Sequence, residues 1–238
     1  MLSMSSSAVW RRGGTGVALT SRWCVMTMAL FVAFLASAAT APAQQLAYAR
    51  TGTESAQSLA ERSLECLHRG EDAVNKEERA AAYREGLALA KRAVEADDTN
   101  ADAHFACFAN GGRLMLVEGA SANPFNLLTV NRELDRVLAL NPNHVDGLAA
   151  RGGMYRQLPW MLGGSLEKAA EYLGRAVALD PDALGSRIEL AETYRDMGHP
   201  ERGVPLLQQA MQVAERKGKQ RQLDEARQLL SQLQAVPK

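Results

Sequence analysis

From residue 55 onward the chain is built of short runs in which apolar side chains recur every three or four positions, separated by brief polar breaks. That spacing puts the apolar residues on one face of a helix. Leu223, Ala226, Leu230 and Leu233 show it near the C-terminus, with charges on the other faces, as a capping helix needs. The pattern predicts helices near 55–73, 77–96, 101–117, 125–140, 145–158, 165–179, 183–197, 201–217 and 220–235. The breaks carry matching chemistry. Asn123-Pro124 offers a cap followed by proline at the first helical position. Asn141-Pro142 and Asp180-Pro181 stop one helix and set up the next, because the residue before proline is driven out of the helical region. Gly163-Gly164-Ser165 ends an irregular stretch and presents Ser165 as a cap, while Gly198 suits a left-handed helix end. Pro205 falls within 201–217 and predicts a late start or a kink there. Alternating runs of β-branched and aromatic residues are hard to find, so the fold class is all-α.

The helices repeat. Three of them end in an apolar residue, then Asp or Asn, and in two cases Pro: Ala96-Asp97-Asp98, Leu140-Asn141-Pro142 and Leu179-Asp180-Pro181. Pro142 and Pro181 are 39 residues apart, and Asp98 precedes Pro142 by 44. Between these helices lie others with a recurrent tyrosine, Tyr155 after Gly152-Gly153 and Tyr194 after Ala191. The repeating unit is therefore a pair of helices, and such units must stack to bury their apolar faces.

At these residues the sequence resembles the tetratricopeptide repeat (TPR), two antiparallel helices packed through small residues. The stretch 184–217 matches best, with Leu190, Ala191 and Tyr194 in the first helix and Gly203, Leu207 and Ala210 in the second; Glu215 stands where proline is expected. The unit over 145–181 supplies Leu148, Gly152 and Tyr155, then Ala169, Leu173, Ala176 and Pro181. Upstream, Phe108 takes a small position and Gly111 that of the tyrosine, with Val130, Leu134, Val137 and Pro142 completing the unit. The resemblance implies a right-handed superhelical solenoid over 55–238 of about four helix pairs, closed by a capping helix at 220–235. It also implies that Tyr194 and Leu207 fill the space between units. A second, looser resemblance, through 162–169, is to the TPR component associated with tripartite (TRAP-type) transporters and to the regulators of microtubule dynamics.

Charge and the first residues add an address. The 27 basic and 27 acidic residues balance, but Arg11, Arg12 and Arg22 are unopposed over 1–43, so the remainder carries a net −3 and gives no reason to expect nucleic acid. An apolar run from Trp23 to Ala39 follows the basic front and ends in Ala41-Pro42-Ala43, the layout of a secretory signal peptide with cleavage after Ala43. Residues 44–54 are small and polar and read as a flexible linker. The expected location is periplasmic or secreted; the alternative is anchoring by an uncleaved N-terminal segment. Cys66 and Cys107 remain beyond the leader, each in an apolar helical pattern that suits a small core residue better than a disulfide.

No catalytic apparatus is visible. Of His68, His104, His144 and His199, His104 lies three residues from Cys107 and can share a helix face with it, but two ligands fall short of a closed zinc site and no paired CxxC occurs; nor does a nucleophile elbow, Walker loop or metalloprotease helix. The glycine pairs at 111–112, 152–153 and 163–164 follow no strand and do not form a phosphate cradle. No enzyme, metal or cofactor is expected. Two units exceed the usual repeat of about 34 residues: the Tyr155–Ala169 gap is 5 residues longer than its counterpart, and the Gly111–Val130 gap 10 longer. Both insertions fall between first and second helices, which places Phe125, Trp160 and Met161 along one edge. By TPR geometry the concave face holds Phe105 on one first helix, Arg156 on the next, and Glu192 and Arg195 on another. The expected function is a protein-interaction scaffold of the bacterial cell envelope that binds a protein or peptide through the insertions or the concave face. The alternative is a small-ligand binding or carrier accessory of a TRAP-type solute-uptake system. Homo-oligomerisation stays open.

Overall fold

The computed structural model describes residues 54–119 and 124–235, with the backbone alone over 124–127. The leader, the linker up to Thr53 and Asn123 lie outside the described residues. Nine α-helices and no strand are found among the described residues. In chain order they are α1 (Ala56–Asp72), α2 (Lys76–Ala96), α3 (Ala101–Glu118), α4 (Pro124–Leu140), α5 (Val145–Gln157), α6 (Leu166–Leu179), α7 (Leu184–Asp196), α8 (Pro200–Lys217) and α9 (Gln220–Ala235). Each helix packs on the next one along the chain, as a stack of helical hairpins does. None of them is long and apolar enough to cross a membrane.

Capping side chains fix most helix starts. Ser55, Asn75, Asn100 and Ser165 each accept a hydrogen bond from the backbone N–H three residues on, meeting one of the four donors a helix start leaves free. His144 does the same through Nδ1, which receives the Gly147 N–H at 3.0 Å. Glu54, at the end of the proposed linker, is tied to α1: its Oε1 receives Arg62 Nη1 at 2.6 Å and Ser58 Oγ at 3.3 Å.

The repeat is also visible in the turns that follow α2, α4 and α6. In each, the residue after the helix (Asp97, Asn141, Asp180) donates its N–H to a carbonyl four residues back, on Ala93, Val137 or Ala176. Its side chain then accepts the N–H two residues on, at 2.9, 3.0 and 2.7 Å, and its carbonyl the N–H three on. Asp and Asn favour this turn because a short polar side chain can replace a backbone acceptor. The recurring Asp or Asn thus reflects one turn used three times.

Inside the stack, small residues set the spacing. A Cβ on Gly152 of α5 would lie 2.6 Å from Leu173 Cγ and 3.2 Å from the Ala169 carbonyl on α6. One on Gly203 of α8 would meet the Ala191 carbonyl of α7 at 3.1 Å. Leu134, Leu148, Leu173 and Leu207 are fully buried, each worth about 1.5–3 kcal/mol relative to an exposed position. These are the positions where the TPR pattern expects large apolar side chains.

Four details differ from expectation. Tyr194 is only half-buried: the Arg202 guanidinium lies 3.9 Å from its ring centroid and donates to its hydroxyl at 2.9 Å, so the ring is covered by a neighbour instead of being enclosed between units. α8 starts at Pro200, a turn and a half before Pro205, because Pro200 takes the first helical position. The ten extra residues upstream lengthen helices more than they form a loop: α3 runs on seven residues past Gly111 where α7 runs two past Tyr194, and α4 starts six residues before Val130 where α8 starts three before Gly203. In α9, Leu229 is buried where the periodicity pointed to Leu230, which is partly covered.

Candidate functional site

The insertion after α5 forms a short 3-10 turn, Trp160–Leu162, that the backbone holds tightly. Leu162 N–H donates to the Pro159 carbonyl at 2.8 Å, Gly164 N–H to the same carbonyl at 3.1 Å, and Ser165 N–H back to Tyr155 O at 2.9 Å. Gly163 sits at φ +91°, and a Cβ on Gly164 would come within 1.7 Å of the Leu158 carbonyl. Only glycine fits both needs, a left-handed backbone and a bare close approach. The result is a locked turn whose side chains face outward: Trp160 is 82% exposed, Met161 75% and Leu162 68%. They do not fold back over the helix ends.

A second cluster lies where α5 meets α7. Arg156 Nη1 is 2.9 Å from Glu192 Oε2, and its Nε donates to Asp196 at 3.1 Å. Arg195 pairs with the same Asp196 at 2.9 Å, so Arg156 and Arg195 are joined through a carboxylate the sequence did not single out, while Glu192 pairs with Arg156 directly. Asp196 follows Glu192 by four residues, the spacing at which helical side chains share a face. Three residues before Glu192, Glu189 has its carboxylate 3.2 Å from where a Gly153 Cβ would stand. Burial holds its acid above the usual carboxylate range, against the pull of Arg156. Arg156, Glu192, Arg195 and Asp196 pair with one another at a partly exposed position, where surface ion pairs contribute about 0–1 kcal/mol each.

The remaining candidates behave differently. Phe105 is half-buried, its ring centroid 6.1 Å from Phe108 and 5.1 Å from His144, where it packs one unit on the next. Phe125 begins α4, but its side chain lies outside the described residues. Two histidines act as structural ties: His144, just before α5, has Nε2 2.9 Å from Asp102, and His104, in the first turn of α3, bridges Glu133 at 2.7 Å and the Asp98 carbonyl at 3.0 Å. Cys66 and Cys107 are free and buried. Among the described residues no group of three His, Cys, Asp or Glu side chains could hold a metal.

No protein-family model matches the chain, and comparison with curated proteins finds no match. Similar solved structures are helical-repeat proteins. PilF of Pseudomonas aeruginosa is 16% identical, covers 76% of this chain and 78% of its own, and superposes with a TM-score of 0.46. TTC0263, a thermophilic TPR protein of Thermus thermophilus, is 19% identical over 72% of this chain and 89% of its own, with a TM-score of 0.43. YrrB, a TPR protein with an unusual peptide-binding site, is 18% identical over 65% of this chain and 93% of its own, with a TM-score of 0.34. The fold is a TPR-like helical solenoid. Its warrant is internal: stacked hairpins, the thrice-used turn, and Gly152 and Gly203 at the close approaches. In this TPR-like frame the Trp160 turn joins a first helix to its second, at an outer edge of the stack, whereas the Arg156 cluster lies between successive first helices.

Proposed function

We propose that this protein is a non-enzymatic interaction scaffold that binds a protein partner through the Trp160–Met161–Leu162 turn, in the bacterial cell envelope to which its leader would send it. The observation that supports this is the exposure of three consecutive large apolar side chains on a backbone held by the hydrogen bonds of the turn. Covering them stabilises a complex by about 1.5–3 kcal/mol per side chain, and the locked turn has little conformational freedom left to lose. Tryptophan is also among the residues that most often dominate interface energy. The test is affinity capture with the full chain from its native envelope, compared with a Trp160→Ser/Met161→Ser variant. A stoichiometric partner retained by the parent and lost by the variant is expected. Equal retention by both proteins would overturn the role of the turn.

A further inference from the structure

A cavity of about 460 Å³ opens between the end of α1, the start of α2, the end of α3 and the first turn of α9. Glu71, Arg79, Tyr83, Arg113, Leu116, Val117 and Arg221 line it. These residues come from both ends of the repeat array: Arg221 follows Tyr83 by 138 positions, and the curve of the stack brings them to one space.

The lining has more donors than the protein uses. Tyr83 is only 3% exposed, its ring wedged against Gly70, yet its hydroxyl makes no hydrogen bond among the described residues. Arg79 gives Nη2 to the Ala73 carbonyl at 3.1 Å, and its buried Nε has no acceptor among them. Arg221 has no hydrogen-bond or ion-pair partner among the described residues. Arg113 is paired to the carboxylate of Glu71 at 3.0 Å. Three arginines and one glutamate thus line the cavity. Of these, Arg79 Nε is the buried donor left unmet, which is costly and uncommon without a reason, whereas Arg221 is exposed and free to turn to a ligand. Leu116 and Val117 add an apolar wall beside the charge.

We propose that this cavity binds a small organic anion, one carboxylate- or phosphate-bearing group held by Arg79, Arg221 and the Tyr83 hydroxyl, with a short apolar part against Leu116 and Val117. Guanidinium groups suit such oxyanions because their N–H fork matches two acceptor oxygens at once. The volume falls within the range of small-molecule sites, about 300–1,000 Å³. The site is separate from the Trp160 turn and does not depend on its role.

The test is calorimetric titration of the full chain with citrate and, separately, inorganic phosphate, at ionic strength held constant with sodium chloride. Two variants accompany it. Tyr83→Phe keeps the ring against Gly70 and removes only the hydroxyl; Arg221→Ala alters an exposed residue of α9. Saturable binding by at least one probe is expected, weakened about tenfold by Arg221→Ala and roughly three- to tenfold by Tyr83→Phe, the usual worth of such hydrogen bonds. Whichever probe binds identifies the carboxylate or the phosphate as the recognised group. Trp160→Ala should leave the titration unchanged. No saturable heat from either probe would overturn the proposal, as would binding that both pocket variants leave intact.

Discussion

Adding one methyl group at Gly152 tests the close helix approach on which the stack rests. In Gly152→Ala the new Cβ would stand 2.6 Å from Leu173 Cγ, 3.1 Å from its Cδ2 and 3.2 Å from the Ala169 carbonyl. Carbon atoms in contact prefer about 3.5–4.0 Å, so α5 and α6 must separate by most of an ångström or Leu173 must leave its rotamer. Leu173 is fully buried and has nowhere to go. Such overpacking costs about 1–3 kcal/mol, while the better helix propensity of alanine returns up to about 1 kcal/mol. The expected net loss is about 1–2 kcal/mol, or roughly 2–8 °C in melting temperature for a domain of this size. Gly174→Ala is the matched control. It lies one residue past Leu173 on α6, and its Cβ would meet nothing within 4 Å. It should stabilise by about 0.4–1 kcal/mol. Urea and thermal melts followed by far-UV circular dichroism would compare the two, with transition slopes checked because repeat arrays can unfold in stages. If Gly152→Ala stabilised as much as Gly174→Ala, α5 and α6 would not be in close contact at this position.

Other expectations follow from the buried polar groups. Asn110 donates to the Ser63 carbonyl at 3.1 Å and receives close packing from Gly86, so Asn110→Ala should cost about 1–3 kcal/mol in a urea melt; an unchanged midpoint would show that this tie between α1 and α3 contributes nothing. Burial pushes the Cys107 thiol up to about 12, so in the native protein it should stay unmodified by a thiol reagent at about pH 8 and react once urea unfolds the chain. Fast native labelling of Cys107 would contradict its burial. Glu189 is expected to make stability pH-dependent. Its acid is raised by burial, with Arg156 and Arg113 opposing and Glu192 and Glu225 reinforcing the shift. The folded state therefore holds the proton more tightly than the unfolded chain. This contribution is fully present below the ordinary carboxylate range and is lost as pH rises through the raised folded value. Glu189→Gln should flatten that part of the pH–stability curve and be more stable than the parent near neutrality; a steeper curve would reverse the assignment.

The sequence by itself determined where helices begin and end and that they come in pairs. Those features are local: period, capping residue and proline position act over a few residues, so they can be read without knowing what lies across the stack. Phe125, Trp160 and Met161 could be nominated for the same reason, as large apolar residues in insertions between helices. Tertiary structure decided the rest. Asp196 becomes the partner that joins Arg156 to Arg195 only because α5 and α7 are brought side by side, about 40 residues apart in sequence. The helix spacing around Glu192 held the one available hint. Trp160 faces outward because the Leu158 carbonyl and the backbone bonds of Gly164 fix the turn, a constraint set by chain path and invisible in composition. Tyr83 and Arg221 share a cavity for a longer-range reason. Each small helix-to-helix offset, set by residues such as Gly152 and Gly203, accumulates along the stack, and only their sum brings the last helix opposite the first pair.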